Sequence, residues 1–357
     1  MKTGLISLLL GCVWVADCGA TDPATHAAPT CSVRDLEATL DTQLRQAASA
    51  VDFSFSVERP GGRRYNFNRG TSSLQTSYES ASTSKLVTAV IILRLVEQGY
   101  LSLTDRPQDR IPTWPIRRTN PLYNMSLAQL LSFTSGLTDG PLCLDLGNAN
   151  FENCVISTAN ANAGNGNTPG QEFFYANPHL QVAGLMAIKA RGVASWQEVF
   201  AEFKTQTGLF ATAAYDLPSA SNPRLAGGMH WTGEEYMAFL RALKRGGLLN
   251  PTSMRQLLTD HTATATMVNS PIRAGLREDW HYGFGLWHEC RSTTFNCNAA
   301  TTRVSTPGAY GAYPFWDRSK NYFGIVAMQG PLGGSGMDGI NLERSVRATV
   351  ERWVACQ

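Results

Sequence analysis

The 357-residue chain is 43% hydrophobic and 16% charged, with a formal net charge of +2. A chain of this length and composition buries a large core, which excludes a disordered or fibrous class. So small a net charge, with no block of like charges, gives no footprint for a nucleic-acid partner.

The first element in chain order is an export leader. Lys2 precedes an apolar run from Leu5 to Val15, and Cys18-Gly19-Ala20 supplies small residues ahead of Thr21, so residues 1–20 read as a signal peptide. The apolar run is too short to span a bilayer. A lipoprotein anchor at Cys12 is the alternative, since Leu9-Leu10-Gly11-Cys12 loosely resembles a lipobox. Both routes predict a secreted or periplasmic protein. Of eight cysteines, Cys12 and Cys18 fall in the leader. The other six suggest local staples, Cys143–Cys154 and Cys290–Cys297, and a tie between the chain ends, Cys31–Cys356. Zinc is the rival use of cysteine, but no CxxC or HExxH is present.

Beyond the leader, apolar residues at Leu36, Leu40, Leu44 and Ala47 predict a helix over Leu36–Ala50. Alternation from Phe53 to Val57, a turn at Pro60-Gly61-Gly62 and Arg64-Tyr65-Asn66-Phe67 predict a β-hairpin. Helices follow at Leu86–Gln98, Leu127–Phe133, Leu180–Ala190, Trp196–Phe203 and Glu234–Leu243. The Asn- and Gly-rich stretch 145–170 predicts a long loop, stapled by Cys143–Cys154. Tyr282–Trp287 and Tyr322–Met328 read as strands and Leu342–Val354 as a last helix.

Two segments carry chemistry. In Ser82-Thr83-Ser84-Lys85 the hydroxyl and the amine stand one turn apart on one helix face. Serine needs a base within reach to act as a nucleophile, and a buried lysine can lose its proton. In isolation the motif is common, and an N-cap with a solvated lysine explains it equally well. Lysine in a first turn, however, opposes the helix dipole. The second segment is Tyr175-Ala176-Asn177, which can aim a phenol and an amide into one cavity. A phenol acting as base at neutral pH needs its pKa lowered by roughly three units, about 4 kcal/mol, and a neighbouring Lys85 ammonium is one source. A packing Tyr and a turn Asn are the bland alternative.

In this order, Tyr78–Asp105, Leu130-Leu131-Ser132-Phe133-Thr134-Ser135-Gly136-Leu137, Pro169–Asn177, Ala226-Gly227-Gly228-Met229 and Tyr282-Gly283-Phe284-Gly285 resemble the serine β-lactamase and penicillin-binding-protein superfamily, on its class C branch. That branch includes DD-carboxypeptidases and family VIII carboxylesterases. The resemblance runs from about Leu36 to the last helix, as a single domain over 31–357. It implies an α/β (α+β) fold: a central antiparallel sheet built from both chain ends (about 31–81 and 246–357), flanked by helices, with a mostly helical region at about 82–245 inserted. It also implies Ser82 as the acylated nucleophile, Lys85 and Tyr175 sharing proton transfer, and Asn177 positioning Lys85 and the substrate. The family's third motif aligns at Thr306-Pro307-Gly308-Ala309, with Gly308 and Ala309 at the oxyanion site, and lacks its basic first residue. Phe133 stands where the family usually has His.

The resemblance therefore implies an acyl-enzyme hydrolase acting on a small-molecule or peptide-like acyl substrate, without metal or organic cofactor. Loss of the basic residue favours uncharged esters, lactones or amides over the alternative, a DD-carboxypeptidase or β-lactamase. That alternative needs a cation from elsewhere, such as Arg303 or Arg273. A non-catalytic binding module on the same fold is the third reading. Gly334-Ser335-Gly336-Met337-Asp338-Gly339 matches GxGxxG but lies too near the C-terminus for a dinucleotide site. The histidines show no metal spacing; His230 and His281 are candidates for the cleft wall.

Overall fold

The computed structural model describes residues 31–138, 140–297 and 303–356; the leader and Cys12 lie outside them. The main sheet has seven strands in the order Arg64–Asn68, Ser54–Glu58, Tyr322–Ala327, Tyr313–Asp317, Arg303–Ser305, Trp287–His288 and His281–Tyr282. Every neighbouring pair is antiparallel. The two chain ends meet inside it: Phe55 pairs with Val326 and Val57 with Gly324. Helices therefore have to cover both faces. Ser54–Glu58 is buried along its whole length, as a strand covered on both sides must be.

Side-chain alternation sorts the two faces. Phe323 takes Lys244 over its ring, and Ala327 lies 3.2 Å from where a Cβ on Gly233 would stand, so this face meets the helix Gly233–Lys244. Tyr322 points the other way, toward Arg303 and the helix Asp338–Ala355, which packs on Val33–Gln46. Cys31–Cys356 ties these two helices at their ends, and Cys143–Cys154 and Cys290–Cys297 also form.

The helix Ser84–Glu97 is buried on all sides through Leu93, so its sequence shows no amphipathic stripe. It runs through the middle of the molecule and brings its first turn to the sheet edge.

Two predicted elements are corrected. The stretch 145–170 is not a continuous loop: Phe151–Asn162 is a helix, started by Asn150 accepting from the Asn153 N–H at 2.9 Å. Cys154, Val155, Thr158 and Ala159 form its buried stripe. Low-propensity asparagines concealed a helix that packing enforces. Tyr282–Trp287 is not one strand either, but a tight hairpin whose Gly283 N–H donates to the Leu286 carbonyl at 2.9 Å. Gly285 sits in it at φ +69°, where a Cβ would come within 2.5 Å of the Lys85 carbonyl oxygen. Only glycine lets the hairpin press this closely on the central helix.

Candidate active site

Ser82 lies in a 3₁₀ turn, Ala81–Thr83, that leads into the central helix. Ala81 takes φ +44°, a left-handed conformation unusual for a residue with a Cβ. Such strain persists only where neighbours fix it. Here the Ser80 N–H donates to the Met229 carbonyl at 2.8 Å, Trp231 Nε1 to Thr83 Oγ1 at 2.7 Å, and the Tyr236 hydroxyl to the Thr83 carbonyl at 2.9 Å. The strand Met229–Thr232 and the helix after it thus hold the turn on which Ser82 stands.

Lys85 is buried, and its Nζ lies 2.8 Å from Ser82 Oγ and 2.8 Å from the Ala226 carbonyl oxygen. Burial, reinforced by the positive charge of Arg224, pulls its pKa down to about 7. Among the described residues no carboxylate offsets this. Aromatic rings surround the amine instead, with the Tyr175 ring centroid at 4.5 Å and that of Phe133 at 5.9 Å.

Tyr175 follows the short strand Glu172–Phe174 and is fixed by its backbone: its N–H donates to the Asn269 carbonyl at 3.0 Å, and Asn269 Nδ2 donates to its carbonyl at 3.1 Å. Its ring packs against Trp287 and Phe133, at 5.2 and 5.5 Å between centroids. Burial pushes the phenol up to about 12, although Ser82 and Trp287, facing its oxygen, pull it the other way. The depression needed for a tyrosinate base is absent. Of the two candidate bases, the lysine is the one whose environment favours the neutral, basic form.

Phe133, at φ +61°, stacks on His179 with centroids 4.8 Å apart. His179 is itself anchored by Ser135 Oγ and the Phe174 carbonyl, each at 2.8 Å. Where a histidine would bring a polar edge, this phenyl ring adds to the desolvation of Lys85.

The segment Thr306–Ala309 lies against the Ser82 turn, with Thr306 Oγ1 donating to the Ser82 carbonyl at 3.2 Å. A Cβ on Gly308 would stand 2.7 Å from the Ser80 carbonyl oxygen, so this approach requires glycine. Among the described residues, neither the Ser82 nor the Ala309 backbone N–H has an internal acceptor. Ser82, Tyr175, Gly308 and Ala309 share a cleft of about 130 Å³ with Ile272, Trp287 and Met337. Its side-chain walls are mainly apolar.

The other sequence candidates go elsewhere. Asn177 heads the helix Pro178–Arg191 without capping it and does not bond Lys85, whose second partner is the Ala226 carbonyl. Arg303 does not supply the missing cation. Next to Val304, which faces Leu86, it points to the opposite sheet face and pairs there with Glu343 at 2.7 Å. Arg273 binds Asp279 and the Met267 carbonyl. His230 pairs with Asp216 at 2.5 Å and His281 with Asp260 at 2.6 Å, and neither lines the cleft. Sequence reasoning placed Ala226 in a family landmark and Met337 in a dismissed GxGxxG match without giving either a role at the site, and it missed Arg224, Ile272 and Trp287, which lie in no motif. A larger cleft of about 230 Å³, bounded by Asn150, Lys189 and Trp196, holds no comparable nucleophile–base pair. Among the described residues no group of three or more His, Cys, Asp or Glu side chains is placed to hold a metal.

A serine and a buried amine meet at the junction of an antiparallel sheet and a helical region, the architecture of the β-lactamase/transpeptidase fold. The Beta-lactamase family model matches residues 57–345, and the chain belongs to that family. A putative β-lactamase from Bacteroides dorei superposes with a TM-score of 0.72 at 22% identity, covering 89% of this chain and 98% of that one. EstCE1, a hydrolase with promiscuous acyltransferase activity, gives 0.67 at 18% identity, covering 89% and 98%. Protein flp of Staphylococcus aureus is 30% identical over 113 residues, 31% of this chain; the match spans 22% of that relative's length.

Proposed function

We propose that this protein is a serine hydrolase that works through an acyl-enzyme on Ser82 and takes an uncharged ester, lactone or amide. The carrying observation is the Lys85 Nζ, 2.8 Å from Ser82 Oγ and buried with its pKa drawn down to about 7. A neutral amine there can accept the hydroxyl proton as Oγ attacks the acyl carbonyl carbon. The carbonyl π pair moves onto oxygen, and the Ser82 and Ala309 N–H groups are free to receive that oxyanion. When it collapses, the bond to the leaving group breaks. The departing oxygen or nitrogen takes the proton from the Lys85 ammonium, with Tyr175 as the relay. Water then repeats the sequence on the acyl-enzyme: it gives a proton to Lys85, releases the acid and restores the serine hydroxyl.

The substrate class follows from charge. Among the described residues that line the cleft none is an arginine or lysine; Arg303 is turned to the other face of the sheet, while Arg273, next to the lining Ile272, and Arg224, whose charge reaches Lys85, are each paired with a carboxylate, Asp279 and Asp145. A substrate carboxylate would therefore be desolvated there without a partner, which disfavours cell-wall peptides and β-lactams. Three disulfides support an oxidising compartment, hence a secreted or periplasmic location. Among the described residues, no helix is long and apolar enough to cross a membrane.

Intact mass spectrometry after treatment with a fluorophosphonate tests the reading. One adduct is expected on the wild type and none on Ser82→Ala. Turnover of p-nitrophenyl butyrate with no acylation by penicillin completes the case. A folded wild type that takes no adduct removes it and leaves a binding module.

A further inference from the structure

The glycine-rich stretch Gly334-Ser335-Gly336-Met337-Asp338-Gly339 has no part in the chemistry above, yet two of its residues line the Ser82 cleft. Gly336 and Met337 share that lining with Gly308 and Ala309, and with Ile272 of the helix Pro271–Leu276. The stretch is locked to the segment that carries Ala309. The Gly330 N–H donates to the Tyr310 carbonyl at 2.8 Å and the Asp338 N–H to the Ser335 carbonyl at 2.9 Å. A Cβ on Gly339 would collide with the Gly311 carbonyl oxygen, so the two backbones touch there. The turn therefore holds a fixed position beside Ala309.

Gly336 differs from its neighbours. Its φ lies outside the left-handed region, and a Cβ there would stand 3.8 Å from both Ala309 Cα and the Ala309 carbonyl oxygen, an ordinary contact. Neither backbone nor packing calls for glycine, so what the residue supplies is open space next to Ala309. Met337 does the opposite. Its Cγ, Sδ and Cε lie 2.9, 3.1 and 3.2 Å from the point where a Cβ on Gly275 would stand. The thioether thus lies across the helix that carries Ile272 and joins it to the turn.

The cleft measures about 130 Å³. An apolar cavity of about 150 Å³ holds one benzene ring, so there is room here for an acyl group of about six carbons. A longer chain has to push Met337 aside or run out into water, and either way forfeits burial worth about fourfold in affinity per methylene. The limit falls on the acyl group because it stays bonded to Ser82 Oγ through both halves of the reaction, whereas the leaving group departs after the first. We propose that the turn 334–339 sets the acyl length the enzyme accepts: Gly336 leaves room beside Ala309, and Met337 ends the pocket. This rests on the hydrolase reading above and adds the size of the substrate.

A series of p-nitrophenyl esters from acetate to decanoate, each below its solubility limit, varies the acyl group at a fixed leaving group. In the wild type kcat/KM should climb to butyrate or hexanoate and then fall roughly tenfold by octanoate. Met337→Ala removes Cγ, Sδ and Cε, and should abolish that fall by raising the octanoate-to-butyrate ratio about tenfold. Gly336→Val fills the space beside Ala309, and should lower the hexanoate-to-acetate ratio about tenfold. Ratios separate selection from folding, because a variant that is only less stable loses every chain length in parallel. A wild-type profile that keeps climbing through decanoate overturns the proposal, as do variants whose ratios match the wild type or move the other way. In each of these cases turnover of the esters leaves the hydrolase reading standing. Ratios that shift across a series of alkyl acetates but not across the acyl series also overturn it, by assigning the turn to the leaving group. Failure of every ester together with failure of fluorophosphonate labelling at Ser82 removes the hydrolase reading itself, and the acyl limit with it.

Discussion

Lys85 Nζ reaches Ser82 Oγ across a single helical turn, at 2.8 Å, with the amine sealed from water. Because burial disfavours the ammonium, its pKa is pulled from 10.5 to about 7, and the base form accumulates as pH rises through that value. The expected kcat/KM profile on a neutral ester therefore rises with pH, with a half-point near 7. Arg224→Gln removes a positive charge that helps to keep the amine neutral. The half-point should then move to higher pH by a fraction of a unit, since burial remains the main cause. A profile flat from pH 5 to 9, or one that moves down in Arg224→Gln, would contradict Lys85 as the base. Stability carries the same signature: the folded protein binds fewer protons than the unfolded chain between pH 7 and 10.5, so wild type gains on Lys85→Met as pH rises through that window.

Tyr175 gives a second, separable expectation. With its phenol pushed up to about 12, it stays protonated at neutral pH, as the relay role proposed for it requires. Tyr175→Phe keeps the ring that packs on Trp287 and Phe133 while removing the oxygen. The variant should fold normally and lose about 10²–10⁴ in kcat, the range for a positioned acid or base. Its pH profile should retain the limb near 7, because that limb belongs to Lys85. If the limb vanishes with the hydroxyl, the proton roles are the reverse of those proposed.

How much of this was legible in the sequence depends on what each element owes to local pattern. The hairpin Ser54–Asn68 and the terminal helices follow from periodicity, and the seam that joins the chain ends follows from the family resemblance. Phe151–Asn162 did not read as helix because its residues favour turns individually, and only the packing of Cys154, Val155 and Ala159 decides the matter. Ser82 and Lys85 were visible because the motif lies within one helical turn. Asn177 was placed at Lys85 by analogy, yet the amine uses the Ala226 carbonyl, which no side-chain motif encodes. Arg303 was a candidate on charge alone; the period of two along its strand turns it to the other face of the sheet.

Gly308 offers a geometric test of the oxyanion site. A Cβ there would meet the Ser80 carbonyl oxygen at 2.7 Å and Thr83 Cγ2 at 3.2 Å, both on the nucleophile turn. Gly308→Ala must therefore move the Ala309 N–H away from Ser82. The expected loss is about 10²–10³ in kcat, the size found when one oxyanion donor is removed. Overpacking should cost only about 1–3 kcal/mol of stability, so the protein remains measurable. Ala309→Pro, which deletes the N–H itself, should match it in rate. Equal activity in both variants and wild type would show that the oxyanion is held elsewhere.

The last expectation concerns Arg303, because it separates a buried structural cation from a substrate-binding one. Its guanidinium meets Glu343 at 2.7 Å, Glu289 at 3.4 Å and Asp317 at 3.7 Å, on side chains 8% exposed or less. Glu343 also binds Arg347 at 2.6 Å, and the Tyr322 hydroxyl lies 2.9 Å from Arg303. Arg303→Met leaves three buried carboxylates short of a partner, and the cost expected for breaking such a pair is about 3–5 kcal/mol. Urea unfolding at pH 7 should show that loss. KM for a neutral ester should not change in the fraction that remains folded, because the residue faces the C-terminal helix and not the cleft. Adding Glu343→Gln would remove one stranded charge and should recover part of the stability. An Arg303→Met protein of undiminished stability but raised KM would place the guanidinium at the substrate instead, and would reopen the reading in which the enzyme binds a carboxylate.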